Sequence, residues 1–298
     1  MDWIMLVASF GGGMWGAAIG AVPAFIFTGA LALIGAVAAL SGHGDVVQIA
    51  FGPVFGPHVS FGGGVAAAAF AASRGSLATG RDIGTPLMGL KRADVLLVGG
   101  AFGTLGFLLN AGFAHAGVSN WTDSIAFTVV LTDMMARLMF GRTSLFGAVS
   151  NPASRRFRPD DSATWLPWQQ DWAHVVAISV AVGLMAAYLA ARALPHASDA
   201  FAFGIATVVL IFLVMGNKVP VTHHIALPAA LGVIHGAGFV GGVACGVIGG
   251  LVGEVASRVF LIHGDTHIDP PAVGIAVVVL GLRLAAAAGL IAGPLSVP

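Results

Sequence analysis

What most constrains this chain is the length and continuity of its apolar runs. A helix needs about 20 apolar residues to cross the hydrocarbon core of a bilayer. Runs of that order recur along the sequence, at 3–21, 23–41, 57–73, 94–116 and 123–147, then at 172–192, 199–216, 223–237, 239–261 and 270–292. Mean hydropathy is +0.94, and 9% of the residues are charged where soluble domains carry about 25%. This composition excludes an ordinary soluble fold. The runs are continuous, whereas the strands of a membrane barrel alternate apolar and polar residues. The expected fold class is therefore all-α: a polytopic membrane helical bundle of about ten spans, bound to the lipid bilayer of a plasma or inner membrane.

Two polar stretches interrupt the pattern, Ser73 to Asp94 and Asn151 to Trp172. The first carries Arg74, Arg81, Lys91 and Arg92, the second Arg155, Arg156 and Arg158. Cytoplasmic loops are enriched in Lys and Arg, so loops 74–92 and 151–171 are both expected on the cytoplasmic side. The second loop is read as a linker, giving three parts: membrane repeat 1 over 1–150, a cytoplasmic or interfacial linker over 151–171, and membrane repeat 2 over 172–298. Trp165, Trp168 and Trp172 stand where an interfacial aromatic belt is expected. The opening "MDWIMLVASF" has no basic region before its apolar run, so the first run is expected to remain as a span rather than be removed as a signal peptide.

The two parts look duplicated. Asp123 precedes Arg137 by fourteen residues and Asp269 precedes Arg283 by the same distance, each helix opening on Asp and closing on Arg-Leu. The preceding runs also correspond, "VGGAFGTLG" from Val98 with "VGGVACGVIGG" from Val240. Before those lie "PHVSFGGG" (Pro57 to Gly64) and "THHIALPA" (Thr222 to Ala229), with His58 matched to His224. Five spans per half would invert the second repeat relative to the first, a common plan in transporters whose sites lie where the halves meet. Segments 57–73 and 223–237 are short for a full crossing. Either as short third helices or as re-entrant ones, they are the natural candidates to border a pathway, since irregular backbone at membrane depth must line a cavity or be buried in protein.

Ionisable side chains inside a membrane are costly and face the bundle interior or water. Asp133 and Arg137, and likewise Glu254 and Arg258, are four residues apart and share a helix face. They read as neutralising pairs or as a polar constriction. Arg283 has Val279 four residues before it, so it must find Glu254 across the bundle, meet a substrate, or extend its head to the interface. Asp123 and Asp269 read as N-caps. His58, His223 and His224 can donate and accept and so relay a proton or orient a small solute. The backbone of Gly62, Gly63 and Gly64 can approach a permeant closely. His263 and His267 with Asp265 and Asp269 make a weak metal pattern, and a solvated loop is the plainer reading.

Gly242, Gly246 and Gly250, with Gly99 and Gly103 in the first half, form small-residue faces that pack helices within the chain or hold a homo-oligomer together. Net charge is zero with no basic patch, so no nucleic-acid partner is expected. Cys245 is the only cysteine, which leaves no disulfide framework and no thiolate cage. No phosphate-cradling loop ending in Gly-Lys-Ser/Thr occurs, so no ATP-driven pump is indicated. No cofactor and no metal are expected.

The two-half layout with paired short segments resembles the general plan of urea transporters and aquaporin-like channels. The resemblance is architectural: the paired Asn-Pro-Ala signature is absent, and no residue role carries over. The expected function is a channel or secondary transporter for a small solute or monovalent ion, its pathway lying between the halves. The alternatives are an accessory or structural subunit of a membrane complex and a His-dependent membrane metalloenzyme.

Overall fold

The computed structural model describes residues 2–43, 46–149, 154–160, 164–193 and 198–293, and those residues are helical with no strand. The first half runs α1 (Trp3–Ile19), α2 (Ala21–Leu40), α3 (Val47–Phe51), a buried π-helical turn (Pro57–Phe61) leading into α4 (Gly62–Ser73), α5 (Ala93–His115) and α6 (Ser124–Phe140). The second runs α7 (Trp172–Tyr188), α8 (Ser198–Val208), α9 (Leu210–Val214), α10 (His223–Gly232), α11 (Gly238–Ala256) and α12 (Pro270–Ala287). Five helical stretches are long and apolar enough to cross a membrane: 21–40, 93–115, 172–192, 223–261 and 270–287. The stretches at 3–19 and 199–214 are apolar but shorter.

Local chemistry sets the boundaries. Asp2, Asp123, Asp171 and Asp269 each cap a helix by accepting a backbone N–H from its first turn, which satisfies a donor that the helix itself cannot. Gly20 joins α1 to α2 in a single residue at φ 94°, a conformation that strains any residue with a Cβ. Within 223–261 the chain breaks at Gly236 and Gly238, both at positive φ. That stretch is therefore α10 and α11 rather than one helix.

The short third helices are the centre of the molecule. Every residue from Pro57 to Ala71 is buried, and so is every residue from His223 to Ala226. α4 consists almost wholly of Gly and Ala, which lets α1, α2, α5 and α6 close on it from several sides. In hydrocarbon, where apolar faces gain nothing by leaving lipid, such close approach of small residues is what holds helices together.

The halves repeat one another contact by contact. Gly103 packs on Gly13 of α1, and Gly246 packs on Gly183 of α7. Gly99 faces Ala17 and the Gly63 carbonyl, while Gly242 faces Ala187 and the Ala229 carbonyl. Gly106 lies against the His58 carbonyl, and Gly249 lies against that of His224. His58 and His224 are therefore equivalent, as the sequence match proposes. The match of Val98 with Val240 is off by one residue: Gly99 corresponds to Gly242, not Gly241. A glycine-rich run looks alike in either register, and only the close backbone contacts decide between them. The α5 and α11 glycines named above pack inside the chain, and Gly250 faces Ser179.

Equivalent helices also meet across the halves. α2 packs on α8, where a Cβ on Gly29 would press on the Gly204 carbonyl and one on Gly204 would press on that of Gly29. α6 packs on α12 and the two run antiparallel. Thr122, before α6, donates to Ala276 O at 2.7 Å, whereas Asp133, deep in α6, accepts from the backbone of Asp269, before α12, at 3.0 Å.

The loops gather at one end. His267 N donates to Gly80 O at 3.1 Å, and Arg81 donates to Ile262 O at 3.3 Å. Arg137 is fully buried and binds Thr266 Oγ1 at 2.9 Å together with the carbonyls of Leu145, Phe260 and Thr266. The segment around His263 and His267 is therefore packed and pinned, not solvated. Trp165 and Trp168 turn into the protein rather than forming an interfacial belt, Trp168 donating to Val219 O at 2.9 Å. Gln169 pairs with both backbone groups of Val221, each at 2.9 Å. Gln169→Leu leaves both unpaired and is expected to cost about 1–3 kcal/mol, read as a lower unfolding midpoint in detergent. An unchanged midpoint would show that this contact is dispensable.

Candidate functional site

Between the α2–α8 crossing and the α6–α12 contact lies a cavity of about 270 Å³. Its walls come from both halves at matched positions: Ala126 with Ala272, Val129 with Ile275, and Asp123 with Asp269. Pro57 and Phe61 from the entry to α4 are matched by His223 and Leu227 from α10. Equivalent residues of the two repeats thus line one cavity.

The lining is mostly apolar and aromatic. Phe25 lies edge-on to His223 at 4.8 Å and to Phe203 at 5.6 Å between ring centres. Trp165 closes a further side, and Arg81 to Gly84 contribute from the polar loop. That loop lies between α4 and α5, where the second half has only Val233–Ala237 between α10 and α11, so the site's asymmetry is concentrated at the end where the loops gather.

Its polar groups are few. Asp123 Oδ1 accepts from Ala126 N at 2.8 Å, and Asp269 Oδ2 accepts from Ala272 N at 2.8 Å. Asp269 Oδ1 is also held by His267 Nε2 at 3.1 Å, and the Asp269 N–H is the one bound by Asp133. Trp121 occupies the place equivalent to His267, so Asp123 has no counterpart to that support. His223 is buried, and its Nδ1 has no partner among the described residues. In the loop outside the spans, burial pushes the Asp265 carboxyl up. The Thr143 hydroxyl, the Arg142 N–H and the charge of Arg137 more than offset this and hold it below the usual carboxylate range.

Of the residues singled out from sequence, His223 lines the cavity. Asp133 touches it indirectly through Asp269, and its Oδ1 is buried without a partner. Arg137 does not pair with Asp133, because its donors are taken by the 262–269 loop and its neighbours. Arg258 does pair with Glu254, at 2.7 Å, but binds Phe157 O and Gln170 O and stacks on Trp172. That pair fastens the linker to α11, away from the cavity. Arg283 is partly buried, with Nε unpartnered among the described residues. His58 and His224 are one residue away from the lining positions Pro57 and His223, with their rings against Gly56 and Gly253. Gly62, Gly63 and Gly64 face Thr132, Gly13 with Gly99, and Ala21. They serve packing.

Sequence reasoning took Asp123 and Asp269 for caps. They are caps, and they also line the cavity. The available signal was the repetition itself, a carboxylate at the same point of both repeats. Among the described residues no three His, Cys, Asp or Glu side chains converge as a metal-ligand set.

The chain belongs to the family of unknown function DUF7973, whose model matches it twice, over residues 1–159 and 153–298. Each half is thus one copy of the family unit, in agreement with the contact-by-contact repetition. No curated protein and no solved structure matches the chain.

Proposed function

We propose that the chain is an integral membrane channel or secondary transporter for a small solute or monovalent ion, with its pathway running through the cavity between the two halves. The observation that carries this reading is the cavity's lining by matched residues of both repeats. Ligand sites of repeat-built transporters lie at the repeat interface near the midplane. The antiparallel contact of the equivalent helices α6 and α12 supports an axis in the membrane plane, and hence inverted repeats with five crossings each. The basic residues of loops 74–92 and 151–171 lie on one end and favour its cytoplasmic placement. An accessory subunit would have no use for a shared cavity, and a His-dependent metalloenzyme would need ligands to converge.

Reconstitution into proteoliposomes tests the reading. Flux is measured across a panel of small neutral solutes, monovalent ions and small amines. Ala126→Phe and Ala272→Phe fill the cavity from either half and are each expected to lower flux at least tenfold in protein that still folds. Wild-type protein that passes no solute would sink the transport reading. Flux unaltered by both substitutions would place the pathway elsewhere.

A further inference from the structure

The geometry points to a small organic cation, an ammonium group on an apolar body, as the ligand of this cavity. The inference rests on the pathway reading above and narrows it. Three carboxylates border the space, Asp82, Asp123 and Asp269, against one guanidinium, that of Arg81. Arg81 is turned toward the Ile262 carbonyl, and Asp82 is occupied by Thr85. An anion entering here would meet three carboxyl groups and a single guanidinium.

Asp269 is supported by His267, but among the described residues no side chain is bonded to Asp123. Asp123 is therefore the carboxylate left for a ligand. His223 adds a second polar group, buried and with Nδ1 unpartnered. The remaining walls are mainly aliphatic, with aromatic rings from Phe25, Phe51, Phe61, Phe203 and Trp165 among them, and a ring face attracts a cation once water is removed.

A compact metal cation fits this lining poorly. It would lose a strong hydration shell, and among the described residues no three ligand side chains are gathered to replace it. An alkylammonium is more weakly hydrated and buries its alkyl part against the same rings. One carboxylate then balances its charge, as a buried charge requires.

Binding is measured directly on purified protein in nanodiscs, by calorimetry, with n-butylammonium and tetramethylammonium chlorides. Butyrate and n-butanol serve as the anionic and neutral counterparts. Both ammonium salts are expected to bind, and the counterparts at least tenfold more weakly. Asp123→Asn retains a good N-cap and so keeps α6, but is expected to weaken ammonium binding at least tenfold. Phe203→Leu, which removes one ring from an apolar wall, is expected to weaken it severalfold and guards against a folding defect in the first variant. Butanol or butyrate binding as tightly as the ammonium salts, or full ammonium binding by both variants, would overturn the assignment. The outcomes also separate the two readings. Ammonium binding without flux leaves this inference standing and removes transport, whereas flux of a neutral solute that ammonium neither joins nor blocks does the reverse.

Discussion

Arg137→Ala is expected to destabilise the protein by at least about 3 kcal/mol. A buried acceptor left unpaired costs about 1–3 kcal/mol, and the substitution strips the Leu145, Phe260 and Thr266 carbonyls at once. It also removes the partner of Thr266 Oγ1. The loop so released carries His267 and Asp269, so damage should spread to the cavity wall. Arg137→Lys keeps the charge, but its single ammonium cannot reproduce the planar fork that reaches several acceptors, so most of the loss should persist. The repeat supplies the control. Arg283 is the sequence equivalent, yet it is only partly buried and its Nε has no partner among the described residues, so Arg283→Ala should stay within about 1 kcal/mol. Chemical unfolding in detergent reads both, and equal losses would refute the assigned asymmetry.

Gly106→Ala is expected to be among the most damaging single-methyl changes in the described residues. A Cβ there would fall inside the van der Waals radius of the His58 carbonyl oxygen. That oxygen belongs to a turn buried on every side, so it cannot swing away as a flexible side chain would. Overpacking of this kind costs about 1–3 kcal/mol and sometimes more. Gly249→Ala should act alike against the His224 carbonyl. Gly112 lies on the same helix with nothing within 4 Å of an added Cβ, and Gly112→Ala should be neutral or stabilising by about 0.5–1 kcal/mol. Thermal unfolding of the three variants decides the matter. Comparable melting for Gly106→Ala and Gly112→Ala would show that the close approach is not rigid.

A large share of this was legible in the residues. Continuous apolar runs dictate apolar helices, since a helix satisfies its own backbone without water and the strands of a barrel would alternate apolar and polar residues. Asp123 and Asp269 at matched helix starts mark both the caps and the duplication. His58 and His224 mark the same place in each repeat. The glycine register was harder to read, because "VGG" matches in one register while Gly103 with Gly246 and Gly106 with Gly249 match in the next, and the close carbonyls select the second.

Periodicity, hydropathy and repetition are properties of neighbours along the chain, so the residues alone carry them. Which groups meet across the halves is another matter. Asp133 and Arg137 have the spacing of an ion pair but part company, since Thr266, Phe260 and Leu145 together offer Arg137 four acceptors where one carboxylate has two oxygens. Which histidine borders the cavity turns on a single helical step, from His224 to His223. Packing against Phe25 and Phe203, carried by α2 and α8, settles that step, and only the assembled fold brings those helices together.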